Sequence, residues 1–274
     1  MAITVVDDFE SYSTGDLHGG NGGQNWSAAW SGDTLFDVAT AGSPNAGTKH
    51  ISIVPTADAY VDISRTFTAA SAGTIFISVK VNRTGGAAGK SLRLDLKIKS
   101  GSTLIGRIIC RISDAANIIE LLDNASFQTL TSSFTNNTYF RVGIEWDDVA
   151  QNNKYRANIN NGAFSSWYSS VSGASFTTID TLEISASNQD AGATGTCYFD
   201  TVAFQYEYPI TSTQTPGVQT LTSSLPSPTI PANIAPAVQT LSFSQPAITV
   251  KDVIVWANAS KSSASWSNQD KSQL

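Results

Sequence analysis

The chain has 274 residues, of which 41% are hydrophobic and only 14% charged, and this length suits one large β-sandwich with an appendage or two small domains. The formal net charge is −6 at pH 7, which argues against nucleic-acid binding because no basic stripe exists to neutralise phosphates. No apolar run reaches the ~18 residues of a membrane-spanning helix, and two cysteines cannot form a disulfide framework.

The predicted elements are strands. Runs such as 74–82, 91–99, 139–147 and 154–160 alternate apolar and polar residues with the period of two that marks a half-buried strand. In chain order the candidates are 2–6, 34–38, 49–54, 60–67, 74–82, 91–99, 104–112, 117–122, 139–147, 154–160, 181–187 and 195–206. Clusters of Gly, Ser, Asn and Asp separate them, and no stretch shows helical spacing. The pattern predicts an all-β fold with two antiparallel sheets packed face to face.

Cys110 and Cys197 both fall in β-like runs. One bridge between them is an open alternative. Two buried free thiols are favoured, because free cysteine is commonly a buried, small apolar residue.

The composition changes near residue 208. Seven of the nine prolines lie between residues 209 and 246, where they favour an extended backbone and interrupt strand pairing. Residues 216–226 recur as 236–246, so the period is 20 residues. Such a unit cannot bury its own apolar face and must lie against the sandwich, a neighbouring copy or another protein. We therefore predict three segments: a sandwich over 1–207, an extended Pro-rich arm over 208–250 and a tail over 251–274.

The last segment contains a second, weaker repeat. Trp256 and Trp266 each begin a Trp-x-Asn-x-x-Lys-Ser pattern, ten residues apart. Tryptophan is enriched where interfaces form, so these residues are predicted anchors; a disordered tail is the alternative. The predicted assembly residues of arm and tail are Val218, Leu221, Val238, Leu241, Phe243, Trp256 and Trp266.

Three parts of the sequence carry a family resemblance: the start, with residues 7–12, 15–17 and 25–27; the pair of strands over 139–147 and 154–162; and residues 197–204. They resemble the concanavalin A-like lectin and glucanase superfamily, in particular its laminin-G-like jelly rolls. This resemblance implies a jelly-roll sandwich and carbohydrate binding. Residues 211–274 resemble segments of tailed-phage structural proteins, which implies a virion component assembled in the host cytoplasm; an extracellular protein is the alternative.

Two carboxylates form the one candidate for catalysis. Glu145 and Asp147 are two residues apart on a predicted strand and therefore share a face, as glycoside hydrolysis requires of its paired carboxylates. Related glucanases place a third Glu just beyond this pair, but Val149 and Ala150 occupy those positions here. We therefore assign no catalytic residue and expect a protein that is not an enzyme.

Two binding sites are candidates. The resemblance implies that the first and last strands meet, which would bring Asp8 and Glu10 near Asp200 as hard oxygen ligands for a structural calcium; plain solvated carboxylates are the favoured alternative. Aromatic faces bind sugar rings, so four aromatic residues are candidates for glycan stacking, although core or loop-pinning roles are the default. These residues are Trp26, Trp30, Trp167 and Tyr168.

Together these features predict a non-enzymatic virion structural protein: a capsid decoration, a head fibre or a tail-associated protein. The arm would attach by strand addition to other virion proteins or to copies of the same chain, while the exposed sandwich contacts host-surface glycans. The alternatives are a carbohydrate-binding module and a subunit of a surface filament.

Overall fold

The structure is a computed structural model that describes residues 4–56, 60–189 and 192–206. The predicted arm and tail, 208–250 and 251–274, lie outside these ranges. So do the seven predicted assembly residues, Val218, Leu221, Val238, Leu241, Phe243, Trp256 and Trp266.

Sixteen strands and one short 3-10 helix, Val171–Gly173, occur in the described residues. The first eight strands are β1 Thr4–Asp7, β2 Gly15–Asp16, β3 Ser31–Gly32, β4 Phe36–Ala39, β5 His50–Ile53, β6 Val61–Ala70, β7 Ala72–Gly86 and β8 Ser91–Ser100. The others are β9 Thr103–Ile112, β10 Asn117–Asp123, β11 Ser126–Thr131, β12 Phe140–Asp147, β13 Lys154–Ile159, β14 Tyr168–Ser169, β15 Ile179–Gln189 and β16 Ala193–Tyr206. The described residues include no helix long and apolar enough to cross a membrane.

The strands form two antiparallel sheets, which confirms the predicted two-sheet sandwich. One sheet has nine strands in the order β14-β13-β12-β7-β16-β5-β4-β2, with β1 paired to β16. The other has seven strands in the order β11-β10-β9-β8-β15-β6-β3. The first and last strands of the described sandwich, β1 and β16, are therefore neighbours.

The core lies between the two sheets. Alternate residues of β7 (Ile75, Ile77, Val79, Val81) and of β8 (Leu92, Leu94, Leu96, Ile98) have no solvent exposure. Each such side chain contributes about 1.5–3 kcal/mol when it is fully buried. Among the described residues the core extends from Val6 to Phe204, so nearly every strand contributes to it.

One end of the core contains a buried ion pair. Arg65 Nη1 lies 3.1 Å from Asp7 Oδ2, and both side chains are almost inaccessible to solvent. The Tyr12 hydroxyl donates to the same Asp7 oxygen at 2.8 Å, and the guanidinium of Arg65 lies 4.8 Å from the ring centre of Trp26. Burial raises the pKa of the Asp7 carboxyl, although its hydrogen bonds and Arg65 act in the opposite direction. The pair ties β1 of one sheet to β6 of the other.

Cys110 on β9 and Cys197 on β16 are both buried free thiols, which confirms the favoured prediction. Burial raises the pKa of both thiols, so they remain protonated and poorly reactive.

Candidate functional site

The face of the nine-stranded sheet that points away from the core is the most distinctive surface of the sandwich, and we call it the outer face. Ile75 and Ile77 on β7 and Val142 and Ile144 on β12 belong to the core. Because successive side chains of a strand alternate between faces, the residues between them point outward. The outer face therefore presents Thr74, Phe76, Ser78, Arg141, Gly143 and Glu145, with Ala203 and Gln205 of the neighbouring strand β16.

The first concavity on this face is the carboxylate recess, of about 270 Å³, lined by residues that include Thr74, Glu145, Asp147, Phe164 and Gln205. The prediction that Glu145 and Asp147 share a face is confirmed, since both line this recess. The described residues that line it include no third carboxylate.

Both carboxylates of this recess already have structural partners. Arg156 lies opposite Glu145 on the adjacent strand β13, and its Nε donates to Glu145 Oε2. Asp147 Oδ1 accepts a hydrogen bond from the Ala150 N–H at 2.8 Å, which closes the turn after β12. The two side chains are therefore held in place as hydrogen-bond acceptors.

Two aromatic rings flank the Glu145–Arg156 pair. The guanidinium carbon of Arg156 lies 4.3 Å from the ring centre of Trp167 and 4.8 Å from that of Phe164. Both rings are half-buried, so part of each remains accessible. We call Glu145, Arg156, Phe164 and Trp167 the aromatic wall: it places flat apolar surface beside fixed charges.

A second concavity, the arginine recess, lies further along the same face. It has a volume of about 410 Å³ and is lined by residues that include Asn45, Ser78, Tyr139, Arg141, Asn160 and Thr201. Arg141 is four residues before Glu145 on β12, which corresponds to ~13 Å along a strand. Strand alternation predicts that Arg141 points outward from strand 139–147, but it does not indicate this recess, because most of the other lining residues come from distant segments.

The loop of residues 40–49 borders the arginine recess and is held by two carboxylates. Asp200 Oδ2 accepts hydrogen bonds from the N–H groups of Asn45 at 2.8 Å and Ala46 at 3.0 Å. Glu10 Oε1 accepts from the N–H groups of Thr48 and Lys49, both at 2.7 Å. Burial raises the pKa of Asp200, whereas the hydrogen bond from the Thr48 side chain lowers the pKa of Glu10.

These contacts do not assemble the calcium site that was expected from Asp8, Glu10 and Asp200. Glu10 and Asp200 contact different stretches of the same loop, while Asp8 is exposed and accepts from the Glu10 N–H at 3.2 Å. Over residues 4–56, 60–189 and 192–206, no group of three or more His, Cys, Asp or Glu is arranged to hold a metal ion. Glu10 and Asp200 instead hold the loop of residues 40–49 in place by accepting hydrogen bonds from its backbone N–H groups.

A histidine and a lysine hold the other end of this loop. The His50 side chain has no solvent exposure. Its Nε2–H donates to the Ala41 carbonyl at 2.7 Å, so in the neutral ring Nδ1 accepts from the Tyr139 hydroxyl at 2.8 Å. Lys80 Nζ donates to the Ser43 carbonyl at 3.2 Å and lies 4.2 Å from the ring centre of Tyr198. Burial lowers the pKa of both His50 and Lys80.

The structure does not bring the four predicted stacking residues together. Trp30 is only 1% exposed and Trp26 packs against the core, 5.3 Å from Phe204, so the predicted role of Trp30 as an exposed platform is wrong. Both rings surround the buried Arg65 instead. Tyr168 also packs against the core, whereas Trp167 contacts Arg156 on the outer face. Consecutive residues of an extended chain point to opposite sides, which separates these two.

The described residues thus define a two-sheet antiparallel β-sandwich with a recessed, aromatic-flanked outer face. No protein-family model matches the chain, and no curated protein matches its sequence.

Several solved structures are similar to it at low identity. Lectin II from Ulex europaeus is 12% identical with a TM-score of 0.43, over 73% of this chain and 99% of that one. The carbohydrate recognition domain of Emp47p is 10% identical with a TM-score of 0.42, over 75% of this chain and 98% of that one. The alginate lyase AlgAT5 of polysaccharide lyase family 7 is 11% identical with a TM-score of 0.43, over 64% and 83%. At this distance similarity does not transfer function.

Proposed function

We propose that this chain is a non-enzymatic structural protein of a virus particle, such as a capsid decoration, head fibre or tail-associated protein, that displays a saccharide-binding sandwich. The C-terminal arm attaches the chain to other virion proteins, and the outer face of the nine-stranded sheet binds host-surface glycans. The observation that carries the binding role is the aromatic wall beside the carboxylate recess, where Trp167 and Phe164 flank the Glu145–Arg156 pair.

This arrangement has the chemistry that sugars need. A pyranose ring has apolar C–H patches that pack against aromatic faces, and hydroxyl groups that hydrogen-bond to carboxylates and amides. The accessible parts of Trp167 and Phe164 supply the aromatic surface. Polar groups at the edge of the recess come from Glu145, Asp147 and Gln205. Because Arg156 fixes Glu145, little side-chain freedom is lost on binding.

The same contacts favour binding over catalysis. Glycoside hydrolysis needs one carboxyl to donate a proton and another to act as nucleophile or base. Here Glu145 is held by Arg156 and Asp147 caps the turn to Ala150. At the two positions where related glucanases place a third Glu, this sequence has Val149 and Ala150.

The attachment role is supported by the sequence of the arm. Two 20-residue repeats combine proline with apolar residues such as Val218, Leu221, Val238 and Leu241. A backbone interrupted by proline in this way cannot bury those side chains within itself, so a partner surface is needed.

Saccharide binding is tested with the full chain on a glycan array. We expect discrete hits, and we expect Trp167→Ala to weaken them at least tenfold, because the stacking surface of the aromatic wall is lost. Phe127→Ala is the matched control: Phe127 is 54% exposed on β11 of the other sheet, and its removal should change no hit. Equal loss in both variants, or hits unchanged by Trp167→Ala, would contradict the proposed site.

The second candidate is a free carbohydrate-binding module or a surface-filament subunit. The favouring observation is that the described part of the chain already supplies an outer face with its recesses and a core beneath it. Glycan hits from a chain that never copurifies with particles would support this alternative.

A further inference from the structure

Arg141 differs from the other arginines of the sandwich. Five of the seven arginines in the sequence form an ion pair with a carboxylate, and Arg83 donates to the Ala87 carbonyl at 3.4 Å. Within the described part of the chain, the Arg141 guanidinium has no ion pair and no hydrogen bond. It lies 4.2 Å from the ring centre of Phe76 and is half-buried. A partly desolvated cation without an anion is unfavourable, so this position favours binding of an external anion.

The surroundings of Arg141 strengthen that preference. Arg141 is the only charged residue among the described residues that line the arginine recess. The nearby carboxylate of Asp200 is fully buried and accepts hydrogen bonds from the N–H groups of Asn45, Ala46 and Thr201, so its lone pairs are already used. Burial lowers the pKa of Arg141, in keeping with the absence of an ion pair to its guanidinium among the described residues.

Other groups in the recess suit a hydroxylated ligand. Ser78 and Thr201 contribute hydroxyl oxygens, and Asn45 and Asn160 contribute amides. Asn45 Nδ2 already donates to Ser78 Oγ at 3.2 Å and Thr201 Oγ1 to Asp200 Oδ1 at 3.3 Å, so both hydroxyl oxygens keep a lone pair for a ligand hydroxyl. Asn160 Oδ1 already accepts a hydrogen bond from the backbone N–H of Arg141 at 2.9 Å, which leaves Asn160 Nδ2 as a donor. A ligand with both a carboxylate and several hydroxyls would satisfy this mixture of groups.

We propose that the arginine recess binds the carboxylate of an acidic saccharide, a uronic or sialic acid unit, through the Arg141 guanidinium. This inference rests on the proposed glycan binding and names its ligand class. A guanidinium matches a carboxylate with two parallel N–H···O bonds, and stacking on Phe76 holds its plane. The carboxylate recess is the wrong place for this anion, because Glu145 already neutralises Arg156 and Asp147 adds negative charge. The acidic unit therefore lies at Arg141, and a neutral unit lies at the aromatic wall.

The test is titration calorimetry of the full chain with four probes: trigalacturonate and 3′-sialyllactose, and their neutral counterparts galactotriose and lactose. We expect at least one acidic probe to bind tenfold or more tightly than its neutral counterpart, with an affinity that falls as salt concentration rises. Arg141→Gln should abolish this preference, and Arg141→Lys should retain part of it, since the charge remains but the planar fork is lost. Arg83→Gln is the matched control, because Arg83 lies on the same sheet but outside both recesses. This variant should keep the wild-type preference for acidic probes.

Each contrary outcome is distinct. Acidic and neutral probes that bind equally well, or a preference that survives Arg141→Gln, would overturn this inference and leave saccharide binding intact. Binding of none of the four probes, together with an empty glycan array, would overturn both. Misfolding is separated from loss of contact by thermal denaturation, because removal of an unpaired Arg141 should leave the melting temperature of the variant at or above that of wild type.

Discussion

The side chains that fasten the loop of residues 40–49 include buried ionisable groups, and their protonation is coupled to stability. His50 is held neutral between the Ala41 carbonyl and the Tyr139 hydroxyl, with Lys80 nearby. A second proton on this ring would place a charge on a fully buried group and reverse its hydrogen bond to Tyr139.

This predicts a loss of stability in mild acid. Since the folded-state pKa of His50 is lowered from 6.5, the unfolded chain binds more protons between that lowered value and pH 6.5. The contribution of neutral His50 to the free energy of unfolding is therefore complete above pH 6.5 and declines as the pH falls from 6.5 towards the lowered pKa. In urea denaturation at pH 7.5 and 5.5, the midpoint of wild type should fall further than that of His50→Gln, which keeps a side-chain N–H donor. An identical pH dependence in the two proteins would refute this role.

At the residue scale, the sequence predicted which face of a strand a side chain occupies, but not whether an aromatic residue in a loop is buried. The alternation of residues 139–147 placed Glu145 and Asp147 on one face, as observed. It did not separate Trp30 from Trp167, because both lie in irregular stretches where no periodicity indicates burial. Trp30 is buried beside Arg65, a charged residue on the inner side of β6 whose partner Asp7 is 58 residues away in sequence. Trp167 contacts Arg156 on the outer face instead.

Among the elements, β16 lines both recesses of the candidate site, through Gln205 in one and Thr201 and Ala203 in the other. It pairs with β7 along nearly its whole length, and the register shifts near Gly195 and again between Asp200 and Val202. The second irregularity places Asp200 and Thr201 beside the arginine recess. Such bulges turn side chains to new directions and often occur next to binding sites.

The first irregularity predicts a strong effect of a small change. Gly195 has a φ of +152°, and a Cβ there would lie 2.1 Å from the carbonyl oxygen of Asn82. Gly195→Ala must therefore separate β16 from β7, and we expect a loss of about 3 kcal/mol in the free energy of unfolding. Gly101→Ala is the matched control: φ is +56° but no atom lies within 4 Å, so only the backbone conformation is penalised, by about 1 kcal/mol. Equal losses in the two variants would contradict the proposed backbone clash.

At the element scale the long strands were predictable and the pairing was not. Strands β7, β8, β12 and β13 appear close to where alternation placed them. The two-residue strands β2, β3 and β14 carry too few residues for any period, and they exist because neighbouring strands offer them partners. The order of strands in each sheet depends on contacts between distant segments, which local patterns do not encode.

The molecule as a whole combines a sandwich with its own core and a C-terminal quarter of different composition. The core of the described residues spans Val6 to Phe204 and involves both sheets. The seven prolines and two repeats that follow it belong to a different type of sequence. In the proposed arrangement the two parts have separate functions: the arm attaches the chain to the particle, and the outer face of the sandwich binds glycans.

A structure of the native particle by electron cryomicroscopy tests this arrangement most directly. We predict that the repeats at 216–226 and 236–246, and the tryptophans Trp256 and Trp266, lie against another virion protein or another copy of the chain. The aromatic wall and the arginine recess should face solvent. A particle in which residues 208–274 contact no partner, or in which the outer face of the nine-stranded sheet is buried against the particle, would contradict the account.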